Sequence, residues 1–413
     1  MRILSKKAIL SFLTGFILLN AALVEAVPLR LAWDPNTEAD IAGYTVLYGN
    51  RSGNYTTRIN VGKVTKFDFA WLPDGTYYFA VQAYNTAGMA SAPSAEVSAT
   101  LVTPLPGRED LDGDARTDLT VWRPGTGSFL SLTSGGGYNA ATAGDRQWGN
   151  QSFGDVPFMA DLDADGIRDF IVWRPSTGTW YWLTSLTGYS YTSAGSKQFG
   201  NQSLGDVPML ADMDGDRKAD FVVWRASTGT WYWLPSSSGY AYAATGVKQW
   251  GSQAQQDVPL LGDFDWDGRA DLAVWRQADG TWYWLTSSSG YNYASSVGKQ
   301  WGSKSAGDVP LVADVDGDRR SDLLVWRATS GTWYWLTSTT GYDYRFAGGV
   351  QWGNQALGDR PLIGDFDGDG RADLTVWRAS TGTWHWLRSS SAYSYLTAGA
   401  VQWGALGDVP ITK

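Results

Sequence analysis

Hydrophobic and polar positions alternate along this chain in short runs, and two rhythms are visible. Over residues 27–103 the runs have strand length and are separated by Gly, Pro and Asn turns. The clearest are residues 29–33, 43–48 and 76–83. In the last of these Tyr77, Phe79, Val81 and Ala83 fall on one face, as the two-residue period of a half-buried strand requires. A segment of roughly 75 residues built from such strands predicts a small β-sandwich.

From residue 104 to residue 413 a stricter rhythm takes over. Asp110, Asp161, Asp212, Asp263, Asp314 and Asp365 each open the same nine-residue segment, 51 residues apart. Gln147, Gln198, Gln249, Gln300, Gln351 and Gln402 keep the same step, each followed by Trp or Phe and then Gly. Each unit reads as four strands. In the second, "VPFMADL" precedes the Asp-rich loop, "DFIVWR" follows it, and "TWYWLTS" and "YSYTSAGSKQFG" complete the set. Four strands in roughly 40–50 residues, repeated, are the signature of a β-propeller. The middle strands carry bulky residues on both sides, with the Trp pair of "TWYWL" pointing one way and the intervening Tyr the other. That suits a sheet covered on both faces. An open β-solenoid is the competing architecture, but its coils are shorter and do not need this Trp load. The expected fold is therefore all-β, an N-terminal β-sandwich plus a six-bladed propeller of 51-residue four-stranded repeats. The first repeat has "TPLPGRE" where later ones have Asp-x-Pro, and "GDVPITK" is left over at the end. The missing strand of the first sheet is thus expected from the C-terminus.

Composition narrows the chemistry. The 413 residues include no Cys and one His, which removes disulfides, thiolate sites and multi-His metal sites. A net charge of −9 argues against a nucleic-acid partner. Arg2, Lys6 and Lys7 precede a mostly apolar run over residues 8–24, and Val24-Glu25-Ala26 offers a small-residue cleavage site. Residues 1–26 are expected to be a secretory signal peptide. No membrane span is expected after its cleavage, and the destination is secreted, cell-surface or periplasmic.

The loops read "DLDGDARTD", "DLDADGIRD", "DMDGDRKAD", "DFDWDGRAD", "DVDGDRRSD" and "DFDGDGRAD". All place Asp at positions 1, 3, 5 and 9. Spacing of two brings side chains 1, 3 and 5 around one point when the backbone turns. Position 7 can add its carbonyl, and position 9 closes the shell. The candidate ligands are Asp110, Asp112, Asp114, Arg116 and Asp118; Asp161, Asp163, Asp165, Ile167 and Asp169; Asp212, Asp214, Asp216, Lys218 and Asp220. The later loops offer Asp263, Asp265, Asp267, Arg269 and Asp271; Asp314, Asp316, Asp318, Arg320 and Asp322; and Asp365, Asp367, Asp369, Arg371 and Asp373. Such an all-oxygen shell suits Ca²⁺, about six ions in all. Capping of turns by Asp explains one or two carboxylates per loop, not four. Position 6 favours positive φ and hence Gly; Gly166, Gly268 and Gly370 meet this, whereas Ala115, Arg217 and Arg319 do not.

Two resemblances follow from these residues. Over 27–103, Trp33 in "LAWDP", the strand "YTVLYG" and the run "LPDGTYYFAVQAYNTAG" resemble a fibronectin type III domain, with Tyr77 as its tyrosine corner and Leu72 upstream. The loops together with "VWR", "TGTWYWL" and "QWG…GDVP" resemble the FG-GAP/VCBS repeats of integrin-α-like propellers. That resemblance implies Ca²⁺ held by each loop's Asp residues between the first two strands of a blade.

No catalytic residue is assigned. Outside the loops, Asp155, Asp206, Asp257, Asp308, Asp359 and Asp408 belong to the repeated Asp-x-Pro turn. Only Glu109, Asp145, Asp279 and Asp343 remain as acids of the repeats, scattered over different units, and His385 replaces a packing Tyr. Glycosidase or lyase chemistry needs an asymmetric pair. The expected function is a calcium-binding, non-enzymatic adhesion or interaction protein whose partner is an extracellular protein or polysaccharide. The alternative is a lectin-like carbohydrate binder using Tyr138, Tyr189, Tyr240, Tyr291, Tyr342 and Tyr393 with the QWG tryptophans. An accessory or catalytic domain acting on polysaccharide is the third reading.

Overall fold

A computed structural model describes residues 8–10, 29–69, 75–101 and 109–411. Apart from Ala8–Leu10, the expected leader lies outside these residues, as do Trp71 and Leu72. The chain divides into two compact units, Met1–Thr103 and Pro104–Lys413. Among the described residues no helix is long and apolar enough to cross a membrane.

The first unit has two antiparallel sheets. In one, Leu29–Trp33 lies between Ala8–Leu10 and Lys66–Phe69; in the other the order is Thr57–Gly62, Ile41–Gly49, Gly75–Asn85, Val97–Leu101. Leu31, Trp33 and Phe69 from the first share a core with Tyr44, Val46, Phe79 and Val81 from the second. The expected face of Tyr77, Phe79, Val81 and Ala83 is buried there. Trp33 meets Tyr44 edge-on at 5.5 Å.

The second unit repeats one four-stranded antiparallel sheet. Its type is the second sheet, Val156–Ala160, Asp169–Arg174, Thr179–Leu183 and Gly195–Gln198, in chain order. Four more sheets follow the same order, the last ending at Gly399–Gln402. The first sheet is composite: Leu119–Arg123, Ser128–Leu132 and Gly144–Gln147 take Val409–Pro410 as their fourth strand. Val409 pairs with Trp122 and Pro410 with Val121. These repeated sheets are consistent with a propeller.

Packing between sheets explains the Trp content. Trp173 and Trp180 of the second sheet pack on Phe221 and Val223 of the third, while Tyr181 faces the first. The pattern recurs around the unit and closes, with Phe366, Trp377, Trp384 and Trp386 of the sixth sheet on Leu119, Val121 and Leu132 of the first. Each buried Trp removes roughly 150–250 Å² from water, an upper estimate of about 4–6 kcal/mol at about 25 cal/mol/Å². In the second to fifth sheets two indole N–H groups share one acceptor. Trp173 and Trp180 both donate to the Phe199 carbonyl, at 3.2 and 2.9 Å, and Trp224 and Trp231 do the same to Trp250. The Val-Trp-Arg, Thr-Trp and Gln-Trp-Gly motifs thus meet at one oxygen.

The Asp-x-Pro aspartates do more than turn the chain. Each is a buried carboxylate held bidentately by the Arg of Val-Trp-Arg, at 2.7–3.1 Å: Arg174 on Asp155, Arg225 on Asp206, Arg276 on Asp257, Arg327 on Asp308 and Arg378 on Asp359. Arg123 holds Asp408 in the same way across the chain ends. Four of these guanidinium groups lie 4.7–4.8 Å from the ring centre of the Tyr in "TWYWL". Removing one partner of such a pair strands the other. Asp257→Ala should therefore cost about 3–5 kcal/mol in chemical denaturation. Deleting residues 408–413 should lower the melting temperature by many degrees in calorimetry; an unchanged transition would show that the terminal pairing carries no stability.

Candidate metal centre

Each Asp loop joins the first and second strands of its sheet, so its shape is set by two strands in fixed register. At position 1, one carboxylate oxygen accepts the position-4 N–H at 2.5–2.7 Å and the other accepts the position-6 N–H at 2.7–3.0 Å. Asp at position 1 is therefore a turn cap as well as a candidate ligand. Both capped positions have positive φ in all six loops. Position 6 has the expected positive φ in Gly166, Gly268 and Gly370, and Ala115, Arg217 and Arg319 adopt the same conformation, with φ of 63°, 70° and 69°. Those three loops have Gly113, Gly215 and Gly317 at position 4 instead, so every loop has a glycine in at least one of the two places.

Position 9 is the most enclosed ligand. One oxygen accepts the position-2 N–H at 2.6–2.8 Å, and the other accepts a serine N–H from the end of the third strand at 2.6–2.8 Å. Those serines are Ser134, Ser185, Ser236, Ser287, Ser338 and Ser389, and their hydroxyls also donate to the position-5 carboxylates. Sequence reasoning missed them, although their 51-residue step was there to find. A carboxylate at position 3 is bonded by Ser237, Ser288, Thr339 and Ser390 in four loops.

The groups that come together are positions 1, 3 and 9. In Asp110/Asp112/Asp118, Asp161/Asp163/Asp169, Asp212/Asp214/Asp220, Asp263/Asp265/Asp271 and Asp314/Asp316/Asp322, one oxygen from each residue lies within 4.8 Å of the others, and one further group of this kind exists. The position-5 residues Asp114, Asp165, Asp216, Asp267, Asp318 and Asp369 are not in the five named groups; each accepts the position-7 N–H at 2.8–3.0 Å. Both carboxylate oxygens of Asp163 and Oδ1 of Asp265 are buried without a hydrogen-bond partner. Unpartnered buried carboxylate oxygens facing further carboxylates are a donor set that fits a hard divalent cation.

The electrostatics of the bare loops agree. Burial pushes the position-9 carboxyls up, to about 7 in Asp118 and Asp373 and about 8 in Asp169, Asp220, Asp271 and Asp322. The N–H bonds pull back, and the position-3 carboxylate adds repulsion. Burial also raises Asp212, Asp263 and Asp314 at position 1 to about 6.

The six loops are tied into a ring. The position-8 N–H of each donates to the position-1 carbonyl of the preceding loop at 2.6–2.8 Å, from Arg168 on Asp110 round to Thr117 on Asp365. Tyr138, Tyr189, Tyr240, Tyr291, Tyr342 and Tyr393 donate their hydroxyls to the position-8 carbonyls and are half-buried. They support the loops, and burial pushes their phenols above the usual range. The QWG tryptophans are half-buried too; Trp148 and Trp403 donate to backbone carbonyls of a neighbouring sheet, at Tyr181 and Leu130. The candidate sugar-stacking residues are thus engaged in packing. Of the scattered acids, Glu109 pairs with Arg168 at 3.6 Å, Asp279 caps a turn at Thr281 and Asp343 caps one at Arg345. His385 packs edge-on against Trp352 at 6.4 Å, and burial lowers its basicity.

A carboxyl whose folded pKa lies above its unfolded value stabilises the fold at low pH and loses that contribution as pH rises through the folded value. With chelator present, the melting temperature should therefore fall from pH 6 to pH 8.5. Millimolar Ca²⁺ should abolish the fall, because the cation takes the protons' place. A chelated protein whose melting temperature rises over this interval would contradict the assignment.

Comparison with known proteins places these loops in a wider setting. A lectin of Agrocybe aegerita, described as specifically recognising non-reducing terminal N-acetylglucosamine, aligns with a TM-score of 0.50 at 12% identity, over 88% of this chain and 90% of that one. At that identity the likeness concerns the fold. An auxiliary nutrient binding protein of Bacteroides ovatus aligns with a TM-score of 0.33 at 11% identity, over 76% of this chain and 81% of that one, and carries no argument. A Kelch domain-containing protein of Saccharolobus solfataricus is 42% identical over 71 residues, which take in 17% of this chain and 9% of that protein. The FG-GAP-like repeat model matches residues 161–223, 212–274 and 314–376.

Proposed function

We propose that this chain is an exported, non-enzymatic binding protein whose six sheets are the blades of a closed propeller stabilised by about six Ca²⁺ ions. A fibronectin type III-like sandwich precedes it. The observation that carries the reading is the recurrence, loop after loop, of carboxylates at positions 1, 3 and 9 whose oxygens lie within 4.8 Å of one another. Three acids at one point, the position-9 one buried in each named group, repel unless a cation or protons intervene. Asp at positions 1, 3 and 9 would hold the ion, with position 5 and the position-7 carbonyl completing the shell. A bound Ca²⁺ supplies charge compensation and a cross-link between two strands; the serine N–H at position 9 and the position-1 turn hold the carboxylates in place for it. Excess acidic residues, 41 against 32 basic ones, would be roughly balanced by six divalent ions.

The ligand we favour is a polysaccharide. Support comes from the fold likeness to the Agrocybe aegerita lectin. Export rests on the leader-like residues 1–26.

Extracellular calcium modules bind at roughly 10⁻⁴–10⁻³ M, and an ion that binds only the folded state stabilises it by mass action. At neutral pH, EDTA should lower the melting temperature strongly, and Ca²⁺ should restore it. Mg²⁺ should do so poorly, because it sheds water reluctantly. Equal rescue by both ions would contradict a calcium site. Turnover of a polysaccharide by pure protein, abolished by changing one acid outside the loops, would overturn the non-enzymatic reading.

A further inference from the structure

The fourth loop breaks the pattern at one residue. Position 4 is Gly113, Ala164, Gly215, Gly317 or Gly368 in the other loops and Trp266 here. Its φ is 62°, a left-handed conformation that bulky side chains rarely adopt. The turn imposes a positive φ at position 4 of every loop, glycine would adopt it without strain, and Trp266 is left 50% exposed there. Among the described residues it is the one Trp that is exposed; the other tryptophans of the repeats are buried or half-buried. Strain kept at an exposed position points to a role outside folding.

Trp266 also lies beside an arginine of the following loop, as Gly215, Gly317 and Gly368 lie beside Arg269, Arg371 and Arg116, and among the described loops it alone offers that arginine an aromatic face. The guanidinium of Arg319, from position 6 of the fifth loop, lies 5.9 Å from the indole ring centre. Arg319 has positive φ as well, at 69°, where three other loops have Gly. Two non-glycine residues in left-handed conformation, from successive loops, therefore place an aromatic face beside a planar set of N–H donors.

We propose that Trp266 and Arg319 form a sugar-binding site on the Asp-loop face, with the indole stacking on the apolar face of a pyranose ring and the guanidinium donating to its hydroxyl or carboxylate oxygens. The inference rests on the carbohydrate reading above and gives it a location. One aromatic ring set among Asp, Gly and Arg matches a sugar ring in size, whereas a protein interface needs a contiguous apolar centre.

The test is affinity electrophoresis of the full chain in Ca²⁺, through gels containing hydroxyethylcellulose, xylan, glycol chitin or polygalacturonate. At least one should retard the wild type. Trp266→Ala should weaken that retardation at least tenfold, and Trp266→Tyr should restore most of it. Trp266→Gly should lose binding yet melt no lower than wild type, since glycine adopts this φ freely. If Trp266→Gly melts lower, the side chain is a packing residue and the assignment falls. Retardation of the wild type and of Trp266→Ala to the same extent would overturn the site alone. A wild type retarded by none of the four would overturn the carbohydrate reading and this site with it.

Discussion

A four-stranded sheet that is apolar on both faces cannot stand at the end of a stack. The second to sixth sheets have this character: Trp180, Trp231, Trp282, Trp333 and Trp384 are fully buried on one side, and the Tyr or His between the paired tryptophans lies on the alternate side of the strand; the first sheet has Phe129 fully buried in the same place. Covering both faces of each sheet leaves closure as the solution, and the contact of the sixth sheet with the first provides it. Much of the remaining architecture follows. The two ends of this unit must meet in one sheet, which is why Val409–Pro410 pairs with Leu119–Arg123 and why Asp408 reaches Arg123. A magnitude argument ranks the contributions. Buried indoles outweigh the ion pairs, which mainly fix register and are costly only when one partner is lost.

Closure by aromatic packing brings the six Asp loops together on one ring of hydrogen bonds, and this has an electrostatic consequence. Each loop concentrates carboxylates that burial makes reluctant to ionise, and the position-8 to position-1 links hold successive loops to one another. The loops therefore cannot spread independently to relieve repulsion. A cation held in one site would tighten the segment that donates to its neighbour, so under the calcium proposal occupancy of the sites and rigidity of the ring would rise together.

Much of this was legible in the residues because the repeat has no insertions. The four strands, the two-faced Trp and Tyr pattern, the terminal strand exchange and the loop carboxylates all follow from a fixed step and the alternation of side chains. What stayed hidden depends on contacts between motifs. The Asp-x-Pro aspartates read as turn residues because their partner arginines lie 19 residues away on the adjacent strand. Ser134 and its counterparts look like ordinary strand-end residues until the third strand is folded beside the loop. The tyrosines from Tyr138 to Tyr393 look like exposed loop aromatics, and only the loop's position-8 carbonyl explains why they turn inward.

Counting bound ions tests the central claim most directly. Native mass spectrometry of the full chain, exchanged into Ca²⁺ after chelation, should give a distribution saturating at about six Ca²⁺ per chain. Asp271→Asn, which removes one enclosed ligand, should give five. A chain that carries no Ca²⁺ under these conditions, or a variant that saturates at the wild-type number, would contradict the account.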